Sequence, residues 1–207
     1  MKLNYKNFEI EVFEDLNYIL NSVDNLRQYK KIYFDGRQQE NQFYPSSKYG
    51  IVIKECKIEI SSILICEIGW TTKVSDNSFI IENDKIWISI ANKIYCFKIP
   101  SLELIFKKEF DSFANFSIYK LEEDILIHGE LEIFRISKEG DVIWTFGGRD
   151  IWVNIEGKTE LSIGNNTIRL FDFDSNEYVI DFNGNQVEDN PRIVSKEIKK
   201  KWWKIFG

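Results

Sequence analysis

The sequence predicts a mainly β protein: a propeller-like array of antiparallel four-stranded units, short or incomplete. Three observations predict it. Apolar residues alternate with a period of two over most of the chain, which is the spacing of half-buried strands. Aromatic residues make up 15% of the composition, and aromatic and β-branched side chains suit pleated surfaces. An apolar pattern also repeats. Ile86-Trp87-Ile88, Ile94-Tyr95-Cys96-Phe97 and Leu104-Ile105 return as Ile125-Leu126-Ile127, Ile133-Phe134-Arg135-Ile136 and Ile143-Trp144, each displaced by 39 residues. A looser third copy runs through Ile168-Arg169-Leu170 and Tyr178-Val179-Ile180, with Asn183-Gly184-Asn185 answering Glu139-Gly140-Asp141 at an offset of 44. Four short strands per repeat of about 40 residues is the period of a propeller blade.

In chain order, Phe8 to Phe13 alternates and reads as a strand. Leu16, Ile19, Leu20, Val23 and Leu26 fall at helical spacing, with Asp15 as the N-cap. Lys31 to Phe34 is a further strand before Asp35-Gly36. Residues 1–48 are therefore expected to form an α/β cap. The stretch YGIVIKECKIEISSILICEIGW, from Tyr49, supplies two strands and opens a β array over 49–190. Later strands are expected near 78–82, 85–90, 93–99, 103–110, 116–120, 124–128, 131–137, 141–146, 159–163, 167–173 and 176–182. Asn-Asp, Ala-Asn, Glu-Gly-Asp, Asn-Asn and Asp-Ser-Asn breaks separate them as hairpin turns. Residues 191–207 read as a basic amphipathic helix, N-capped by Ser195, with Ile198, Trp202 and Ile205 on one face. The length suits a single domain. Residues 78–187 give three units, where closed propellers take about four to eight, so residues 1–70 either complete a ring or cap an open array. A two-sheet sandwich is the alternative.

Charge and composition narrow the function classes. The net charge is −6. Arg192, Lys196, Lys199, Lys200, Lys201 and Lys204 stand against Glu197 alone in the tail, so the body is more acidic than the total suggests. Such a body suits a basic protein partner better than nucleic-acid phosphates. The opening MKLNYKNFEIEVFED holds no signal-like apolar stretch, and no run reaches the roughly 18 apolar residues of a membrane span. A cytoplasmic location is expected. Cys56, Cys66 and Cys96 lie in apolar runs without CxxC pairing, and read as buried reduced thiols rather than zinc ligands.

Each polar cluster has two readings. His128, the one histidine, and Glu130 would form an acid/base pair or simply mark a hairpin end. No Gly-x-Ser-x-Gly elbow accompanies them. Gly147-Gly148-Arg149-Asp150 would cradle an anion through backbone N–H groups, or make a tight connection held by an Arg149–Asp150 network. Asp172, Asp174, Asn176 and Glu177 look like part of a calcium loop but lack EF-hand spacing. Glu122-Glu123-Asp124 and Glu130/Glu132 read as solvated strand ends. Trp70, Trp87, Trp144 and Trp152 read as core, with one or two available as interface anchors. The basic tail would touch an acidic membrane surface or pack on the acidic body. No metal site and no cofactor is expected.

The stretches SFIIENDKIWISIANKIYCFKIPSLELIFKKEF and FSIYKLEEDILIHGELEIFRISKEGDVIWTFGGRDIWV resemble a group of small bacterial proteins. These look like proteins encoded beside polymorphic toxins, and so like immunity proteins. The resemblance covers about residues 60–187. Its most specific part is His128-Gly129-Glu130-Leu131-Glu132-Ile133, with Gly140 and Gly148-Arg149-Asp150-Ile151. It implies a non-enzymatic, cytosolic interaction module that binds and neutralises a basic cognate toxin domain. The residues expected to recognise that partner are Glu122, Glu123, Asp124, Asp172 and Asp174, with Trp152 as an anchor. The alternative functions are a small-ligand or glycan-binding propeller-like protein, and a hydrolase using His128 and Glu130.

Overall fold

The structure is a computed structural model that describes residues 1–34, 45–70 and 73–192. The chain divides into two compact units, Met1–Phe146 and Gly147–Gly207. Each is described by itself.

The first unit begins with five strands: β1 (Lys2–Tyr5), β2 (Phe8–Glu14), β3 (Lys31–Phe34), β4 (Ser47–Glu55) and β5 (Ile58–Glu67). They form one sheet in the order β1-β2-β4-β5-β3. All pairs are antiparallel except β3 with β5, which is parallel. The strands on either side of residue 48 therefore belong to the same sheet. The β4–β5 turn has Cys56 and Lys57 both at positive φ (50° and 69°), as a tight hairpin following the strand twist requires.

Two repeat sheets follow. The first holds β6 (Phe79–Glu82), β7 (Lys85–Ile90), β8 (Lys93–Lys98) and β9 (Leu104–Glu109) in sequence order. The second holds β10 (Asn115–Leu121), β11 (Asp124–Gly129), β12 (Glu132–Ile136) and β13 (Val142–Gly147), again in sequence order. The 39-residue offset is visible in the register. Glu82 opposes Lys85 across one turn, and Leu121 opposes Asp124 across the other. The repeat in the sequence is a repeat of sheets.

Alternation then stacks them. Along β7 and β8, Ile86, Ile88, Ile90, Tyr95 and Phe97 join Ile10, Val12, Ile51, Ile53, Ile63 and Ile65 of the N-terminal sheet in one core. From the opposite face, Trp87, Ile94 and Cys96 join Ile118, Ile125, Ile127, Phe134 and Ile136 in another. The first repeat sheet is thus buried on both faces, which a four-stranded unit needs neighbours to achieve. The outer face of the N-terminal sheet is covered by its own connection: Tyr18, Leu20 and Tyr29 pack on Leu64 and Cys66.

The helix expected over 16–26 does not form, and no helix occurs among the described residues. Asn25 takes the backbone groups a helix would use. Its Oδ1 accepts from the Ile19 N–H (2.8 Å), and its Nδ2 donates to the carbonyls of Ile19 (2.7 Å) and Ser22 (2.9 Å). Lys48 Nζ donates to the Leu16 and Tyr18 carbonyls (2.8 Å each). Side chains that bond locally to the backbone compete with helix in this way. The expected C-terminal helix lies outside the described residues. No helix among those described is long and apolar enough to cross a membrane.

The second unit carries the third repeat as β14 (Leu161–Ile163), β15 (Thr167–Phe171), β16 (Glu177–Asp181) and β17 (Gln186–Asn190), antiparallel and in sequence order. Ile168, Leu170, Tyr178 and Ile180 are buried. Arg169 pairs with Glu177 (3.1 Å) on neighbouring strands.

Candidate functional site

The β5, β7 and β11 strands all end, and β8, β10 and β12 all begin, at the loop-bearing end of the first unit. Two buried carboxylates organise it. Asp111, in the β9–β10 connection, is 2% exposed. It accepts backbone N–H groups from Phe113 (2.9 Å), Leu131 (2.8 Å) and Glu132 (3.2 Å), tying its own loop to the β11–β12 turn. Glu67, at the end of β5, is 0% exposed and accepts from Lys93 Nζ (2.6 Å) and the Tyr95 hydroxyl, with Lys107 Nζ at 3.7 Å. Neither was singled out from the sequence. The available signal for Glu67 was a carboxylate inside the apolar run Leu64-Ile65-Cys66-Glu67-Ile68. For Asp111 it was the Asp-Ser pair ahead of a strand.

Close packing makes Gly129 a testable position. A Cβ there would meet Asp111 Oδ2 at 2.5 Å and the Glu132 carbonyl oxygen at 2.7 Å. Gly129→Ala is expected to cost about 1–3 kcal/mol, read by urea unfolding. An unchanged midpoint would contradict the Asp111 staple.

His128 lies beside this staple, buried, with Nδ1 3.4 Å from Ser117 Oγ and its ring edge-on to Phe116 (5.4 Å between centroids). Glu130 follows at the turn, its backbone N–H bonded to the Ala114 carbonyl (2.9 Å). Burial, then the nearby Asp111 carboxylate, push the Glu130 carboxyl above its usual range. The fold thus absorbs the imidazole into the sheet instead of presenting it at the surface.

The acidic hairpin Glu122-Glu123-Asp124 sits at the opposite end of the second repeat sheet. Glu122 takes the left-handed backbone conformation of the turn (φ 55°). Arg135 of β12 bonds to Asp124 (2.7 Å) and to Glu122 (2.9 Å). Lys138 bonds to Glu123 (2.9 Å) and lies 3.1 Å from Glu82 of the first repeat sheet. Lys120 bonds to Glu82 as well. The Glu123 side chain is still 86% exposed, and Lys138 holds its carboxyl below the usual range. The hairpin turn thus carries two exposed carboxylates fixed by cations of the sheet below.

In the second unit, Arg149 pairs with Asp189 through two nitrogens (2.8 Å for the longer) and lies over the Tyr178 ring. Its guanidinium is held charged by that carboxylate. Asp150 instead accepts from the Ile151 N–H (2.8 Å). The expected Arg149–Asp150 network is therefore replaced by Arg149–Asp189. The cause is reach: β17 brings Asp189 opposite Tyr178, beneath the guanidinium. His128 and Glu130 belong to the first unit, so these four residues are two local arrangements.

Trp152 is 0% exposed, edge-on to Tyr178 at 5.4 Å, and a Cβ on Gly148 would meet its ring at 2.8 Å. Trp87 is equally buried, whereas Trp70 is 65% exposed. Asp172 is buried, and its carboxylate is spent on the Asn176 N–H (2.8 Å), Asn176 Nδ2 (2.9 Å) and the Tyr178 hydroxyl (2.9 Å). Asp174 is exposed at the same turn. Among the described residues no three His, Cys, Asp or Glu side chains are grouped to hold a metal ion.

Two cysteines are buried as expected, and burial pushes the Cys66 thiol up to about 11 and the Cys96 thiol to about 12. Cys56 differs: it is exposed, because it forms the β4–β5 turn.

No protein-family model matches the chain, and no curated protein does. Among solved structures it is similar to BamB from Moraxella catarrhalis, with a TM-score of 0.49 and 12% identity over 72% of this chain and 46% of that one. It is also similar to the WD40 domain of Pan2 from Neurospora crassa, with a TM-score of 0.45 and 15% identity over 56% of this chain and 37% of that one. The chain spans less than half the length of either. Likeness at such identities bears on fold and not on activity.

Proposed function

We propose that this chain is a non-enzymatic, cytoplasmic protein-interaction module, an immunity protein that binds and neutralises a basic cognate toxin domain. The observation that carries the reading is the Glu122-Glu123-Asp124 hairpin. Glu122 and Glu123 are exposed and Asp124 is partly buried, and all three are pinned by Arg135 and Lys138 on a sheet buried against its neighbour. Fixed like charges on a rigid support steer a basic partner and lose little freedom on binding. At the other end of the first unit Asp111 ties two loops together, which suits a scaffold. The acidic body and the resemblance to toxin-linked proteins support the same reading.

The test is co-expression with the C-terminal domain of the toxin encoded beside it. Growth is expected to be restored, and the two chains are expected to co-purify. If the toxin domain stays lethal and neither chain retains the other, the reading is wrong.

A further inference from the structure

The β2–β3 connection exposes apolar side chains on a fixed backbone. Leu16 is 50% exposed, Ile19 65%, Val23 90% and Leu26 107%. Four large aliphatic groups left in water within eleven residues cost the isolated chain solvation free energy with no gain in packing. The loop is nevertheless held. Asn25 bridges Ile19 and Ser22, Lys48 ties the Leu16 and Tyr18 carbonyls, and Tyr29 donates to Asp15 (2.7 Å). Tyr18 is buried beneath it. The backbone bonds therefore point the aliphatic groups outward and keep them there.

Beside them lies a recess of about 240 Å³. Ile19 and Leu26 supply apolar walls, and Asp15 and Asp24 supply carboxylates. No Lys or Arg lines it among the described residues. Lys48 Nζ is spent on the two carbonyls behind the loop, and Arg27, next to Leu26, pairs with Glu59 (2.7 Å).

We propose that the 15–26 loop is a docking surface for a protein partner that presents a Lys or Arg flanked by large apolar side chains. Charge complementarity sets the partner's chemistry. Its cation would face Asp24 and Asp15, and its apolar groups would cover Ile19, Val23 and Leu26. Because the surface is preformed, little ordering opposes binding. The inference rests on the interaction-module reading and adds a second, partly apolar contact to the acidic hairpin.

The probe is a set of three synthetic peptides of equal length, built from Lys and Leu, from Lys and Ser, or from Glu and Leu. Each is titrated into the full chain while backbone amide shifts are followed by NMR. The Lys/Leu peptide is expected to bind at least tenfold tighter than the other two, with shifts confined to residues 15–26. Val23→Ser with Leu26→Ser is expected to weaken it about tenfold, as is Asp24→Lys, without altering the melting temperature. Equal binding of the Lys/Ser peptide, or shifts elsewhere, would overturn the proposal. So would concentration-dependent dimerisation abolished by the Val23/Leu26 pair, which would make a second copy the occupant. If the peptides fail here while the toxin domain still binds, this inference falls and the proposed function stands. If the Lys/Leu peptide binds the loop while the toxin domain is neither bound nor neutralised, the reverse holds.

Discussion

Trp87→Ala is expected to cost about 3–5 kcal/mol of unfolding free energy. Trp87 is 1% exposed on β7 and packs into the core shared by the two repeat sheets, against residues such as Ile118, Ile127 and Phe134. Its sequence neighbours Ile86 and Ile88 point to the other core, shared with the N-terminal sheet. A cavity at Trp87 therefore opens one interface of the stack and leaves the other intact. Neighbouring strands cannot collapse into it without disturbing their own ladders, so the loss belongs at the upper end for an aromatic truncation. Urea unfolding measures it. Val142→Ala is the control, since Val142 is 53% exposed on an edge strand and is expected to change stability by about 0.5 kcal/mol or less. Equal effects at the two positions would mean that the second repeat sheet does not bury that face.

Glu67→Ala is expected to be comparably severe, about 3–5 kcal/mol. Glu67 is fully buried between Lys93, Lys107 and the Tyr95 hydroxyl. Removing the carboxylate takes a buried acceptor from Lys93, whose side chain is only 14% exposed, and from the Tyr95 hydroxyl. Most of the cost is the loss of an acceptor from a low-dielectric cluster and not the net worth of one pair. The Glu67→Ala, Lys93→Met double variant is therefore expected to recover a large part of the loss, whereas independent effects would add. A double variant as unstable as the sum of the two single variants would contradict the pairing.

The repeat was legible because it is written in local alternation. A strand buried on two faces needs apolar residues at successive positions, and Ile86-Trp87-Ile88 and its copy show that directly. In the first 34 residues the strands at Phe8–Glu14 and Lys31–Phe34 were legible, whereas β1 and the 16–26 connection were not. Leu16, Ile19, Val23 and Leu26 have helical spacing, but they face solvent, and the pattern measures only spacing. The stronger signal was the density of Asn17, Asn21, Ser22, Asp24 and Asn25, whose short polar side chains favour turns over helix. The parallel pairing of β3 with β5 depends on contacts about 30 residues apart and leaves no local mark.

The site was partly legible. Glu122-Glu123-Asp124 was read as a surface strand end, and it is one. Its fixation by Arg135 and Lys138 depends on a strand pairing that single-residue reading does not give. Arg149 was noticed, but its partner Asp189 lies 40 positions away. Glu67 and Asp111 leave little mark in the sequence because a single acidic residue is usually solvated, and only the stacking of sheets over it makes it structural.

The most direct measurement is the rate and affinity of binding between the purified chain and the proposed cognate toxin domain, at low and high salt. The account predicts nanomolar or tighter binding, with an association rate that falls about tenfold or more as salt screens the acidic hairpin. It predicts a similar loss at low salt for Glu122→Gln with Glu123→Gln, which removes the charge without setting a cation against Arg135 or Lys138. No detectable binding, or binding indifferent to both salt and charge removal, would contradict it.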